Sequence, residues 1–316
     1  MKFGILGHLI DENHLKIIPE SWIQKDLIIS PEFNIEGTKG HIFGVLLTSH
    51  QIMTLPREKV RRIILDSIIY AQDELGIELI QLGALTTSVT SGGIWLKKNK
   101  EFKGFLNHGD SYTAAVTCQA VLKSMKFFNK NPEKLNLAVV GAYGIIGEAV
   151  SKILVPKFEK SILIGRRERK LKELETKIKG NFETTTDLKT KESDVIVTAT
   201  SHPTALLNKG HLKKNSIIID VSIPSNLTYE VCQNRPDIHR IDGGYVDFPQ
   251  KYNIYPPGVP TGKLLSCMVE VIMQAIENEK ENHIGSIDIK HLKKTEEWSE
   301  KYGFKLIELT NFGKKL

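Results

Sequence analysis

Cysteine is scarce: Cys118, Cys232 and Cys267 are the only three in 316 residues. An odd, sparse set excludes a disulfide-stapled scaffold and fits a reducing compartment, so a cytoplasmic location is expected. Neither Cys-x-x-Cys nor His-x-x-x-His spacing occurs, and no structural metal is expected. Long apolar runs are also missing, which leaves at most peripheral contact with a membrane. The opening Met1–His8 has too short an apolar segment for a signal peptide and reads as a first strand. There is no internal repeat or low-complexity tract. Aromatic and basic residues do not interleave, so a nucleic-acid partner is not expected. The formal net charge is nevertheless +6, with lysine and arginine clusters at 97–103, 166–172 and 290–294. Such a surface suits an acidic protein partner or an anionic cofactor equally well.

What is present centres on residues 137–150. The apolar run Leu137-Ala-Val-Val140 ends in Gly141-Ala142-Tyr143-Gly144-Ile145-Ile146-Gly147 and then becomes helical in pattern. A strand buried on both faces reads as continuous apolar residues. Glycines allow a sharp turn and a close approach to a ligand. The helix that follows offers free N–H groups and a positive dipole end to a pyrophosphate. The spacing is G-x-x-G-x-x-G, and the plain alternative is a βα turn with no ligand. The next strand, Ser161–Gly165, runs straight into Arg166 and Arg167. Dinucleotide folds place an acidic residue here for a ribose 2′-hydroxyl. Two arginines favour a 2′-phosphate instead, so NADPH is the expected cofactor; a solvated basic helix start is the alternative.

Elsewhere the pattern alternates. Phe3–Leu6 and His41–Leu47 read as strands, residues 55–75 as an amphipathic helix opened near Pro56 and closed by Gly76, and residues 77–82 as a strand. That strand enters a hydroxyl- and glycine-rich loop containing Thr86, Thr87 and Ser88, which offers hydrogen-bond donors or is an ordinary polar turn. A helix follows from about Asp110 to Phe128. Beyond the linker 129–134, strands and helices alternate as βα units should, and the turns holding Thr200-Ser201 and Asp220 should line the cofactor crevice. Tyr252–Pro260 reads as a crossing loop. The apolar helix after it carries one polar stripe, Ser266, Glu270, Gln274 and Glu277, beside Cys267. Helix is expected again over 289–302, and a strand near 304–309. The expected class is α/β: an N-terminal α/β substrate domain over 1–130, a Rossmann-like NADP-binding domain over 131–260, and a C-terminal helical segment, 261–316, that carries the cysteine and packs back.

A free cysteine is most often inert core. Cys267, however, lies in the first turns of a helix, which lowers a thiol pKa, and Lys263 four residues earlier could set an ammonium beside the sulfur. His8, at a strand end, reads by itself as a structural residue.

Taken together, these pieces resemble the long-chain fatty acyl-[acyl carrier protein] reductases. The resemblance runs from end to end. It rests on Phe3-Gly-Ile-Leu-Gly-His8-Leu9, Leu82-Gly83 followed by paired hydroxyls, Tyr112-Thr113-Ala114, Gly141-Ala-x-Gly144-x-Ile146-Gly147, Ile219-Asp220 with Pro224-x-Asn226-Leu227, Gly243-Gly244, Cys267-x-x-Glu270 and Gly303-Phe304. Val221-Ser222 departs from the glycines expected there. The resemblance implies that Cys267 carries an acyl group as a thioester and that NADPH reduces it to a fatty aldehyde. It gives weight to Glu270 and His8 as proton-handling groups, with Thr86–Ser88 donating to the oxyanion. It also implies an acidic acyl carrier protein or a coenzyme A thioester as acyl donor, and an aldehyde-consuming oxygenase as a further partner. Two other readings remain: an oxidoreductase like the shikimate dehydrogenases or glutamyl-tRNA reductases, and a non-catalytic NADP-binding partner.

Overall fold

The computed structural model of the chain describes residues 1–252, 254 and 256–316. Its contacts group into two units, Met1–Tyr112 with Val246–Lys305, and Thr113–Tyr245 with Leu306–Leu316. The boundaries expected near 130 and 260 therefore fall at 112/113 and 245/246, and the 261–316 segment is divided between the units. Periodicity reports local elements; it carries no mark of a late segment returning to an early sheet.

In the first unit, β1 (Phe3–Leu9) lies inside a seven-stranded sheet with β2 (Ile23–Gln24), β3 (Leu27–Ile29), β4 (Phe33–Ile35), β5 (Thr38–Thr48), β6 (Leu79–Leu82) and β7 (Phe105–Asn107). The path is β2-β3-β5-β1-β6-β7, with β4 paired to β5. β1 runs parallel to β5 and β6, and β6 parallel to β7. The short helix α1 (Ser49–Thr54) and the 19-residue helix α2 (Arg57–Leu75) follow β5; Pro56 opens α2 and left-handed Gly76 closes it. The α2 residues Val60, Ile64, Leu65 and Ile68 are fully buried with Leu6 and Leu82, each such side chain stabilising by about 1.5–3 kcal/mol. The stretch expected as a loop after β6 is instead two helical turns, α3 (Leu85–Val89) and α4 (Ile94–Lys98). Repeated threonines let side-chain oxygens close the turns that the periodicity leaves open. Helix α5 (Asp110–Phe127) then begins.

The second unit holds six parallel strands: β8 (Asn136–Val140), β9 (Lys160–Ile164), β10 (Phe182–Thr185), β11 (Val195–Thr198), β12 (Ile217–Asp220) and β13 (His239–Asp242). Their order, β10-β9-β8-β11-β12-β13, is the doubly wound 3-2-1-4-5-6 arrangement of a Rossmann fold. Helices α6 (Ile145–Leu154), α7 (Glu168–Glu175) and α8 (Tyr229–Asn234) join the strands. Strands β11 and β12 are buried throughout, as continuous apolar runs require.

The chain then returns to the first unit. The loop expected over 252–260 includes Asn253 and Tyr255, which lie outside the described residues. Helix α9 (Ser266–Ile276) packs beside β1 and β6, and α10 (Ile289–Tyr302) packs on α9. No strand forms over 304–309; a two-residue ladder joins Thr310–Asn311 to Lys314–Lys315. Among the described residues, no helix is long and apolar enough to cross a membrane.

Candidate active site

The nucleotide site is built at the first and fourth strands of the second unit, where the winding reverses. β8 ends at Gly141, whose φ of +88° and whose spacing exclude a side chain: a Cβ there would lie 2.3 Å from the Ala199 carbonyl oxygen. Gly144 is the N-cap of α6, and no side chain caps that helix. The first N–H groups of α6, at Ile145, Ile146 and Gly147, therefore have no intrahelical acceptor and face an anion's place. Gly147 sits so tightly under the turn that a Cβ would come within 2.1 Å of Gly141 O. Ala142 is buried, and the Tyr143 ring lies over Gly165 at the end of β9. Arg166 and Arg167 follow Gly165, exposed, with no ion pair among the described residues. This cradle fits a dinucleotide, and the two uncommitted guanidinium groups fit its 2′-phosphate.

Two expected ligands serve the protein instead. Asp220 is buried and accepts from Thr198 Oγ1 at 2.6 Å, Asn226 N at 3.0 Å, Leu227 N at 3.2 Å and Arg240 Nη2 at 3.3 Å, and also from Ser225 Oγ. Its carboxylate organises the turn after β12, because a buried carboxylate must satisfy its lone pairs. Thr200 donates its hydroxyl to Asn226 Oδ1 at 2.8 Å, tying that turn to the one after β11; Ser201 follows it, exposed.

The cysteine site lies wholly in the first unit. Cys267 occupies the first turn of α9 and keeps part of its surface open. The β7–α5 loop lies directly on it. Gly109 has φ +72°, and a Cβ there would meet Cys267 Cα and Cβ at 2.6 Å. Only glycine permits that approach, which brings His108 and Asp110 to the cysteine. The backbone N–H groups of Met268 and Cys267 are directed at the sulfur and favour a thiolate, but burial outweighs them. Burial first, then Asp110, pushes the Cys267 thiol up to about 12. The expected depression is therefore overturned. Lys263 does not supply it either, since its ammonium pairs with Asp247 at 2.6 Å. Burial, then Glu270, also raises the Asp110 carboxyl well above its ordinary range. Burial likewise lowers His108 to about 4.

Glu270, one turn beyond Cys267, is fully buried and engaged by both oxygens. It accepts from Tyr112 N at 2.7 Å and from His291 Nε2 at 3.0 Å. Burial alone would raise it; the His291 hydrogen bond and charge win and lower it. Gln274 continues the stripe, accepting from Asn107 Nδ2 at 2.7 Å and donating to Glu279 O at 3.0 Å and Glu281 O at 2.9 Å. The polar stripe of α9 is thus buried and pins two loops. His8 is also committed: Nε2 accepts from Leu85 N at 3.2 Å while Nδ1 faces Leu9 O at 2.7 Å, and burial lowers its pKa. Thr86 and Thr87 are buried in α3 and donate their hydroxyls to Gly83 O and Leu82 O, both at 2.7 Å. Those protons are turned inward, away from an oxyanion, because a buried hydroxyl needs an acceptor. Ser88 O accepts from Arg57 at 3.4 Å. Sequence reasoning missed His108 and Gly109, although His-Gly-Asp at a strand end before a helix was a usable signal, and it missed His291 entirely.

Comparison with known proteins agrees with the second unit. The family model for shikimate/quinate 5-dehydrogenase matches residues 124–242. The long-chain acyl-[acyl-carrier-protein] reductase of Synechococcus elongatus is 26% identical over 342 aligned positions, covering 97% of this chain and 99% of that one. Aminotransferase PigE of Serratia sp. is 24% identical over 254 positions, and this chain matches 77% of its own length but spans only 30% of PigE. Among solved structures, L-tryptophan dehydrogenase from Nostoc punctiforme covers 96% of this chain and 80% of its own, at 13% identity and a TM-score of 0.45. The glycine cradle, the paired arginines and the family match support an NADP-dependent oxidoreductase with a Rossmann nucleotide-binding unit similar to that of the shikimate/quinate 5-dehydrogenases.

Proposed function

We propose that the protein reduces a fatty acyl thioester to an aldehyde through an acyl group held on Cys267. The observation that carries this is the cysteine's placement: a half-buried residue in the first turn of α9, with two backbone N–H groups on its sulfur and the Gly109 loop packed against it. In the first step Cys267 Sγ attacks the thioester carbonyl carbon, the carbon–sulfur bond to the carrier breaks, and the cysteine's proton ends on the departing thiol. Asp110, whose buried carboxyl is raised and whose charge acts on the Cys267 thiol, exchanges that proton in this scheme. The N–H groups at the start of α9 hold negative charge as the thiolate forms. NADPH, when bound, would supply the hydride that converts the Cys267 thioester to aldehyde and Cys267 thiolate, which takes up a proton to restore the thiol. Glu270 and His8 then act by positioning α9 and α3, since their polar atoms are already bonded.

The end-to-end likeness to the Synechococcus reductase supports a long-chain acyl substrate. The net charge of +6 supports delivery by an acidic acyl carrier protein, with a coenzyme A thioester as the other donor of the same chemistry. An aldehyde-consuming oxygenase would take the product. The match of residues 124–242 to the shikimate/quinate dehydrogenases favours one alternative, reversible oxidation of a small hydroxy acid without a covalent step. Cys267→Ala separates the two readings: it should abolish aldehyde formation while leaving NADPH binding intact, and unchanged turnover would refute the covalent route.

A further inference from the structure

We propose that Glu279, His283 and His291 form a binding site for a zinc-class divalent cation, braced through His291 onto the cysteine helix. The proposal stands on the geometry of the first unit and does not rest on the acyl-transfer reading. One ligand atom from each residue lies within 4.8 Å of the others. Glu279 Oε2 is 3.0 Å from His283 Nε2 and 4.0 Å from His291 Nδ1. Ligand atoms around a tetrahedral zinc with bonds near 2.0–2.1 Å stand about 3.3 Å apart; the 3.0 Å pair is already near that spacing, and the 4.0 Å pair must draw together.

A second observation points to a ligand. His291 is 6% exposed, and its Nδ1 is buried with no hydrogen-bond partner. An imidazole nitrogen left so is costly; a metal ion would use it. The opposite nitrogen, Nε2, is bonded to the buried Glu270 carboxylate at 3.0 Å. That arrangement fixes the tautomer with Nδ1 as the lone-pair atom, as the carboxylate partners of metal-binding histidines do. Glu279 is similarly oriented, its other oxygen held by Lys294. The His283 and His291 rings stack with centroids 3.3 Å apart and planes 5° from parallel, so binding requires one ring to tilt until both lone pairs converge. His283 is the one free to do so, being partly exposed. Two imidazoles and one carboxylate suit zinc rather than magnesium or calcium, and three protein ligands leave a fourth position for water. The ion would fasten the 277–291 loop to Glu270, and through Glu270 to Tyr112 N and the turn that bears Cys267.

The test is calorimetric titration of the chelator-treated full chain with Zn²⁺, together with cobalt substitution read by visible absorption. Wild-type protein should bind one equivalent, raise its melting temperature, and show the intense bands of tetrahedral cobalt. His283→Gln and Glu279→Gln should each weaken binding by tenfold or more, while His50→Gln, at an exposed histidine away from the cluster, should not. Circular dichroism establishes that the variants fold; should His283→Gln fail, Glu279→Gln decides. Absence of saturable binding, or binding unchanged in the cluster variants, would overturn the assignment.

Discussion

A thiol whose pKa rises from an ordinary 9.0 to about 12 should be slow in a way that can be calculated. At pH 8 the thiolate fraction falls about a thousandfold. Nucleophilicity recovers part of this, because it rises with pKa at a Brønsted slope of about 0.4–0.5, giving roughly 16–30-fold. Cys267 should therefore exchange with a small aromatic disulfide about 30–60-fold more slowly than an ordinary accessible cysteine. Its rate should climb nearly tenfold per pH unit through pH 10 without a plateau. The assay is quenched exchange followed by peptide mass mapping, which separates the Cys267 adduct from those of Cys118 and Cys232. Asp110→Asn removes the second cause of the shift and should accelerate exchange; burial, the larger cause, keeps the variant slower than a free cysteine. A Cys267 rate that levels off below pH 9 would show a preformed thiolate and refute this account of the sulfur's surroundings.

Replacing Arg166 and Arg167 by alanine should weaken NADPH binding by roughly 10–100-fold, the worth of one or two charge-assisted hydrogen bonds, and leave NADH binding unchanged; equal loss for both, measured by fluorescence titration, would remove the 2′-phosphate assignment. Gly109→Ala combines a positive φ with a clash against Cys267 and should cost about 2 kcal/mol or more, a fall of roughly 4–8 °C in melting temperature. Gly76→Ala also has a positive φ but nothing within 4 Å, and should cost only about 1 kcal/mol; equal effects would contradict the close packing of the loop on the cysteine.

The Rossmann unit was legible because its signals are local: Val195–Thr198 and Ile217–Asp220 are buried on both faces, and Gly141 and Gly147 stand where side chains cannot. The helix expected over 55–75 was legible from its periodicity and its Gly76 cap, and a helix was expected over 289–302. What stayed hidden depends on distant partners. Asp220 reads as a cofactor contact until Arg240 and Asn226 are seen beside it. The Ser266–Gln274 stripe reads as a polar face, yet Asn107, Tyr112 and His291 arrive from three other segments to satisfy it. Helix position and Lys263 both argued for an acidic thiol, but desolvation and Asp110 reverse that sign, and Lys263 is held by Asp247. Thr86 and Thr87 read as outward donors because sequence does not show which hydroxyls are spent on their own turn.

The measurement that tests the central claim most directly is the intact mass of the protein mixed with a long-chain acyl thioester in the absence of NADPH. The account predicts a single acyl adduct that maps to Cys267, is absent from Cys267→Ala, and is discharged as aldehyde when NADPH is added. A protein that binds NADPH and turns over substrate with no adduct on Cys267 would contradict it.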